Sequence, residues 1–341
     1  ELIAKTQAYL GDGWDPKASW RDHLRGLVDA PDENRVAMLA IPCDTGAGIV
    51  RGCARGPEAI REALGQAPCF ELGDVFCVPH FLDEDMLSDA QRHRTQDVIY
   101  KEVDAARRRP MPVSPLGIAT RVYQLVAALN PKLRIMMLGG DHSVTWAPMD
   151  ALLATDPKDN ADVGIVHFDA HTDLLAERLG VRICFATWAY HANQRLGGGQ
   201  RMIQLGIRAS GRDRGHWEKT EDLRQIWPDE AKALGTTELA ATVLDHLRKH
   251  RLKRIYLSND IDGTDAYWAG ACGTPEGNGL TREQVQAVIE ALTEADDFEF
   301  IGADLVELAP ALGIDAEATA RSIETARLYT QLSVDLLKAR G

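Results

Sequence analysis

What this chain has little of narrows its function before any motif does. Its 341 residues include six cysteines, Cys43, Cys53, Cys69, Cys77, Cys184 and Cys272, and no Cys-x-x-Cys pair. That spacing suits neither a disulfide framework nor a zinc ribbon, and predicts small buried thiols in a reducing compartment. No apolar run approaches the roughly 18 residues of a membrane span, and Glu1-Leu2-Ile3-Ala4-Lys5 lacks the charge-then-apolar order of a secretory signal. Basic residues are in deficit, 38 Lys+Arg against 51 Asp+Glu, for a formal net charge of -13. Nucleic acid or an anionic membrane would need a net basic face, and clusters such as Arg107-Arg108-Arg109 are short and local. Internal repeats, low-complexity tracts and a Ser/Pro linker are also missing. Together these absences predict a cytoplasmic enzyme or binding protein with neither a nucleic-acid nor a membrane partner.

What is present describes an ordinary globular protein, 45% hydrophobic and 26% charged. Length divided by about 150 suggests roughly two domains, but α/β folds often pack such a length around one sheet. The polar, punctuated start, with Trp14, Asp15-Pro16, Trp20 and Pro31-Asp32-Glu33, reads as an extension over residues 1–32 that wraps the domain or meets a neighbouring subunit. Residues 33–341 then form one domain. Its first buried strand is Arg35 to Ile41, stopped by Pro42, and Pro57 marks the start of a helix. Apolar runs at Leu133 to Leu138, Val163 to Phe168, Met202 to Ile207, Arg254 to Leu257 and Phe298 to Leu305 read as buried strands with helical stretches between them. Such alternation predicts a parallel α/β sheet covered on both faces, with functional groups gathered at the carboxyl edge.

Three of those strands end in unusual company: Leu138-Gly139-Gly140-Asp141-His142-Ser143, His167-Phe168-Asp169-Ala170-His171-Thr172-Asp173, and Ser258-Asn259-Asp260-Ile261-Asp262-Gly263-Thr264-Asp265. Any one alone reads as a turn, since Asp, Asn and Gly favour turns and caps. Three together point elsewhere. In an extended Asp-x-His-x-Asp or Asp-x-Asp segment alternate side chains share a side and converge. Carboxylates crowded at one edge repel one another unless cations are present. Histidines mixed with carboxylates suit manganese, nickel or zinc better than calcium, the count is too large for one ion, and the absence of a cysteine disfavours structural zinc.

These segments resemble the three metal-binding signatures of the ureohydrolases, the arginase and agmatinase family. The likeness extends to Asp44-Thr45-Gly46, Arg55-Gly56-Pro57-Glu58-Ala59-Ile60-Arg61, Gly273-Thr274-Pro275-Glu276, Gly279-Leu280-Thr281 and Asp304-Leu305-Val306-Glu307. It implies a three-layer arginase-like α/β fold and two divalent ions, Ni2+ or Mn2+. The first ion would lie on His142, Asp169, Asp173 and Asp260, and the second on His171, Asp169, Asp260 and Asp262, with Asp169 and Asp260 bridging. Two such cations lower the pKa of a shared water toward about 7. The implied reaction is attack of that hydroxide on a guanidino C–N bond. Asp173 would accept a hydrogen bond from the hydroxide and pass a proton to the leaving nitrogen. Glu307 would pair with the guanidinium, and Thr274 would lie beside it. Family members are commonly trimers or hexamers, so a homo-oligomer or a hetero-hexamer with a paralogous subunit is expected around a small cationic substrate.

The sequence also departs from the family. Where arginases and agmatinases carry a His-Gly loop with a proton-shuttling histidine, this chain has Arg182-Ile183-Cys184-Phe185-Ala186-Thr187-Trp188-Ala189-Tyr190-His191. His191 is the candidate substitute, with His216 a second, although a histidine there equally suits a packed or capping role. Phe185, Trp188 and Tyr190, with Tyr267-Trp268, either line the pocket mouth, where Trp188 would contact substrate, or pack against a neighbouring loop. Asp265-Ala266 and Gly277-Asn278-Gly279 resemble the guanidine hydrolase branch, whose members use nickel and which includes a two-subunit metformin hydrolase. Free guanidine or a small substituted guanidine or biguanide is therefore the expected substrate, with agmatine or 4-guanidinobutyrate as alternatives. Two other readings stand beside these. A single-zinc deacetylase-like amidohydrolase is opposed by the presence of His142 and Asp262, and a non-catalytic supporting subunit is opposed by the full ligand set.

Overall fold

The computed structural model describes residues 16–33 and 35–341. Trp14 and Asp15 of the expected extension lie outside the described residues. Eight strands among the described residues form one parallel sheet: β1 (Val36–Ile41), β2 (Phe70–Asp74), β3 (Arg134–Gly139), β4 (Val163–Phe168), β5 (Met202–Leu205), β6 (Arg224–Ile226), β7 (Arg254–Asp260) and β8 (Glu299–Val306). Their spatial order is β2-β1-β3-β8-β7-β4-β5-β6. The central strands are apolar on both faces because helices cover both. Ala37, Leu39 and Ile41 of β1 join one core with Ile135 and Met137 of β3, while Met38 and Ala40 join the other with Met136 and Leu138.

The first core is closed by helices α1 (Pro16–Asp29), through the fully buried Leu27, α3 (Pro115–Leu129) and α4 (Trp188–Leu196), and the second by α2 (Gly56–Leu64), α5 (Pro228–Lys249), α6 (Arg282–Glu294) and α7 (Ala316–Arg340). Their starts follow local chemistry. The Ser114 hydroxyl accepts from Gly117 N–H at 3.1 Å ahead of Pro115, and Thr281 with Gln284 forms a reciprocal capping box for α6. No helix among the described residues is long and apolar enough to cross a membrane.

The sequence pattern left out β2 and β6, which are the two edge strands. β2 reads Phe-Glu-Leu-Gly-Asp and looks like a loop because its acids serve a buried ion pair. Arg61 of α2, fully buried, donates to Glu71 at 2.8 Å and also contacts Asp74. A charge so enclosed is tolerated only when paired.

In this order β3, β8, β7 and β4 are adjacent at the centre of the sheet. The three motif-bearing loops, far apart in sequence, therefore leave the carboxyl edge side by side, with the end of β8 among them. Gly140 permits this crowding, since a Cβ there would meet the Cys43 carbonyl oxygen at 1.8 Å.

Candidate active site

Three aspartates of the cluster use one oxygen to fix their own turn or a neighbouring one and turn the other inward. Asp169 Oδ1 accepts from His171 N–H at 2.6 Å, Asp260 Oδ1 from Asp262 N–H at 2.9 Å, and Asp262 Oδ1 from Ala170 N–H at 3.0 Å. The expectation of a simply extended Asp-x-His-x-Asp segment is corrected here. Asp173 adopts φ 52, and Asp260 caps a short helical turn. Convergence comes from turns held by these side-chain caps rather than from strand alternation.

The inward oxygens meet His142. Its Nδ1 lies 3.2 Å from Asp169 Oδ2, 3.2 Å from Asp173 Oδ2 and 3.1 Å from Asp260 Oδ2. The ring's other nitrogen lies 3.1 Å from Ser258 Oγ, whose hydroxyl donates to Asp304 Oδ1 at 2.9 Å. Asp304 also accepts from Thr145 and Tyr256 hydroxyls. Since Ser258 gives its proton to Asp304, it accepts from His142 Nε2–H, which leaves the Nδ1 lone pair facing the three carboxylates. That Nδ1 is buried and has no hydrogen-bond partner of acceptable geometry. Beside it, His171 Nδ1 lies 3.4 Å from Asp169 Oδ1 and 3.2 Å from Asp262 Oδ2, which also accepts from Thr274 Oγ1 at 3.0 Å.

The electrostatics call for cations. Burial, then Asp262 and Asp169, hold the Asp260 carboxyl well above its ordinary range. Burial would lower His171, but Asp169 and Asp262 carry it up to about 12. An orphaned imidazole lone pair, mixed nitrogen and oxygen donors and buried like charges together fit divalent ions of the borderline kind.

Glu307 closes the floor of an adjoining cleft of about 320 Å³ lined by Gly48, Ile49, Val50, His171, Phe185 and Thr274. Its Oε1 accepts from His142 N–H at 2.8 Å and its Oε2 from the Cys53 thiol at 2.9 Å. Burial first, and then Asp141, push its carboxyl up to about 8. A second cleft of about 350 Å³ shares His171, Arg178 and Phe185 with the first and adds Asp173, Arg212 and His216.

The structure thus brings together His142, Asp169, His171, Asp173, Asp260 and Asp262, with Thr274 and Glu307 beside them. Two expected residues are elsewhere. Trp188, expected at the pocket mouth, is fully buried beneath the cluster, 4.7 Å from the His142 ring and 5.0 Å from the His167 ring, with its Nε1–H donating to Asp173 Oδ2 at 2.9 Å. As the first residue of α4 it faces the core, where a large ring gains most from burial. His191 points away from the cluster, its Nε2 3.0 Å from the carbonyl oxygens of Ala176 and Arg182. Of the other aromatics named above, Phe185 lines both clefts, while Tyr267 and Trp268 lie against Arg321 and Arg282. His167, Cys53, Ser258, Asp304 and Arg178 were not singled out. His167 precedes the Asp-x-His-x-Asp signature by two residues and was the most accessible of them to sequence reasoning.

A parallel sheet of this order, with buried imidazole and carboxylate groups that could hold cations at its central carboxyl edge and an acid-floored cleft beside them, defines an α/β protein with a candidate metal-assisted active site. The Arginase family model matches residues 34–332, and the chain belongs to that family. It is accordingly a hydrolase acting on C–N bonds of linear amidines. A guanidinobutyrase of Pseudomonas aeruginosa is 34% identical over 178 residues, 51% of this chain and about half, 53%, of that protein. The N(1)-aminopropylagmatine ureohydrolase of Thermus thermophilus is 29% identical over 304 residues, covering 87% of this chain and 91% of that one. Among solved structures, proclavaminate amidino hydrolase from Streptomyces clavuligerus shares the fold with a TM-score of 0.68 at 22% identity, over 90% of this chain and 93% of that one.

Proposed function

We propose that the chain hydrolyses free guanidine or a small substituted guanidine or biguanide with two divalent ions, Ni2+ or Mn2+, in a cytoplasmic oligomer of its own copies or with a paralogous subunit. The observation that carries this reading is the cleft above Glu307, small and walled by Ile49, Val50 and Phe185. When bound, the cation pair supplies a nucleophile at neutral pH by lowering the pKa of water. His142, Asp169, Asp173 and Asp260 would hold one ion, and His171, Asp169, Asp260 and Asp262 the other. Glu307 accepts guanidinium N–H groups, the Thr274 hydroxyl orients Asp262, and Trp188 Nε1–H fixes the Asp173 carboxylate that carries a proton to the leaving nitrogen. Residues 33–341 act as one catalytic domain in this reading, with residues 1–32 as an N-terminal extension.

A second reading is supported by a separate observation. Arg178 and Arg212 line the adjoining cleft, where guanidinium groups could receive a substrate carboxylate. That would make the substrate a guanidino acid, in line with the guanidinobutyrase above. Release of urea, ammonia or amine from guanidine, metformin, 4-guanidinobutyrate, agmatine and arginine by nickel- and manganese-loaded protein separates the readings. A dominant rate on 4-guanidinobutyrate selects the second, and a dominant rate on agmatine or arginine overturns both. Metal analysis of the same preparation should find two ions per chain.

A further inference from the structure

His167 lies among the ligand atoms, yet its hydrogen bonds run opposite to those of His142. Its ring packs edge-on against His142 with centroids 5.1 Å apart, fully buried, and its Nε2 lies 2.9 Å from Asp169 Oδ2. By position alone it joins His142, Asp169 and Asp173 as a possible ligand. The other face of the ring decides the matter. Trp227 Nε1–H, which can only donate, gives to Gln225 Oε1 at 2.9 Å. The Gln225 amide NH2 therefore gives to Gln204 Oε1 at 2.8 Å, and Gln204 Nε2 faces His167 Nδ1 at 3.0 Å. The same Gln204 Nε2 donates to the Thr172 carbonyl at 2.7 Å, which can only accept and fixes the amide independently.

We infer that Gln204, locked by Gln225, Trp227 and the Thr172 carbonyl, holds His167 as the Nε2–H tautomer, so that His167 is a donor to Asp169 and not a metal ligand. With Nδ1 accepting from Gln204, the neutral ring carries its proton on Nε2 and presents no lone pair to a cation. His142 is the reverse, since its chain ends on the acceptor Asp304 and its Nδ1 lone pair faces inward. Gln204 is thus a positioning residue that acts through His167 on Asp169. Its effect on metal affinity rests on the two-cation reading, whereas the tautomer does not.

The test uses protein labelled with 15N-histidine and loaded with Zn2+, and in parallel with 113Cd2+, His167 being assigned by the signals lost in His167→Asn. The wild type should show a protonated Nε2, an acceptor-type Nδ1 and no 113Cd coupling at His167. Gln204→Met should shift the tautomer mixture toward Nδ1–H, with Asp169 alone left to favour Nε2–H, and weaken Zn2+ binding by up to roughly 10-fold, the low end of what loss of a partner bonded directly to a ligand costs. Trp227→Phe should retain the tautomer, because the Thr172 carbonyl still orients Gln204. A protonated Nδ1 or a cadmium coupling at His167 in the wild type overturns the inference even if the variants fail to fold, as does an unchanged tautomer in Gln204→Met. Absence of coupling at His142 and His171 with His167 as described would instead count against the two-cation reading and leave the tautomer assignment standing.

Discussion

On the floor beneath the clefts Asp169, Asp173, Asp260 and Asp262 are no more than 5% exposed, whereas at the rim Ile49 and, next to the lining Arg178, Leu179 are 103% and 98% exposed. Asp169 and Asp262 are each held by two partners, Asp173 by the Trp188 indole and Asp260 by the N–H of Asp262. At the rim Arg178 has the ring of Phe185 as its neighbour, 5.0 Å away, in an exposed turn where Leu179 and Gly180 both take positive φ. Burial magnifies every electrostatic term on the floor, so each carboxylate there is constrained by its neighbours. Solvent screens the rim, and its residues can change without disturbing the chemistry beneath. In the proposed reading catalysis and substrate choice are thereby separated in space. Variants of the two regions should fail in different ways.

The floor should break hardest at Asp260. Asp260→Asn keeps the cap on Asp262 N–H but removes the charge of Asp260 Oδ2 facing His142. Several kcal/mol of charge stabilisation by the cations is then forfeited, so turnover should fall by on the order of 10³-fold or more, and metal content with it. Unchanged turnover in a metal-replete preparation would refute the ligand assignment.

Glu307→Gln should separate binding of substrate from binding of metal. A glutamine still offers an oxygen to His142 N–H, but the ion pair with a guanidinium is gone. Hydrogen bonds to charged groups are worth about 1.5–3 kcal/mol, which gives a loss of roughly 10- to 150-fold in kcat/KM. Metal content should equal that of the wild type, and a parallel loss of metal would place Glu307 with the ligands instead.

How much of this was legible follows the same division. Candidate ligands packed into Asp169-Ala170-His171-Thr172-Asp173 could be recognised because one turn delivers several donors from adjacent positions. The convergence of three such loops depended only on β3, β7 and β4 being central, which their uninterrupted apolar runs implied. Trp188 was misplaced because an aromatic residue beside a signature reads alike whether it faces solvent or core, and only the orientation of α4 decides. Cys53 and Gln204 were invisible for a different reason. Each acts on the site through a single residue there from a distant segment, Cys53 on Glu307 across 254 positions and Gln204 on His167 across 37. The polar β2 was hidden by the ion pair that it completes with Arg61.

At the rim, Arg178→Ala should reorder substrates and leave the floor intact. If a carboxylate docks between Arg178 and Arg212, kcat/KM for 4-guanidinobutyrate falls roughly tenfold, the weight of one charge-assisted hydrogen bond, while that for guanidine holds. If the substrate is a small uncharged-tailed guanidine, both rates stay within about twofold, as expected for an exposed charge far from the reacting carbon. A collapse of both would show that the rim and the floor are coupled, contrary to the contrast in their burial.

The smallest effect is expected at His191. Its Nε2 reaches two carbonyl oxygens that close the segment from Ala176 to Arg182, and its ring packs against Tyr190 and Trp146. Burial lowers its pKa, the nearby Arg182 adds to that, and the two carbonyls oppose it. A neutral ring at neutral pH is therefore the expected state, with its one N–H engaged by backbone rather than by a proton in transit. Asparagine offers an N–H of similar reach, so His191→Asn should retain turnover to within about twofold and leave the pH profile in place. A proton shuttle would behave otherwise, since its removal costs about 10²-fold or more and strips one limb from the profile. Steady-state rates from pH 6 to 10 on the preferred guanidine distinguish the two, and loss of a limb would return His191 to the catalytic group despite its distance from the cluster.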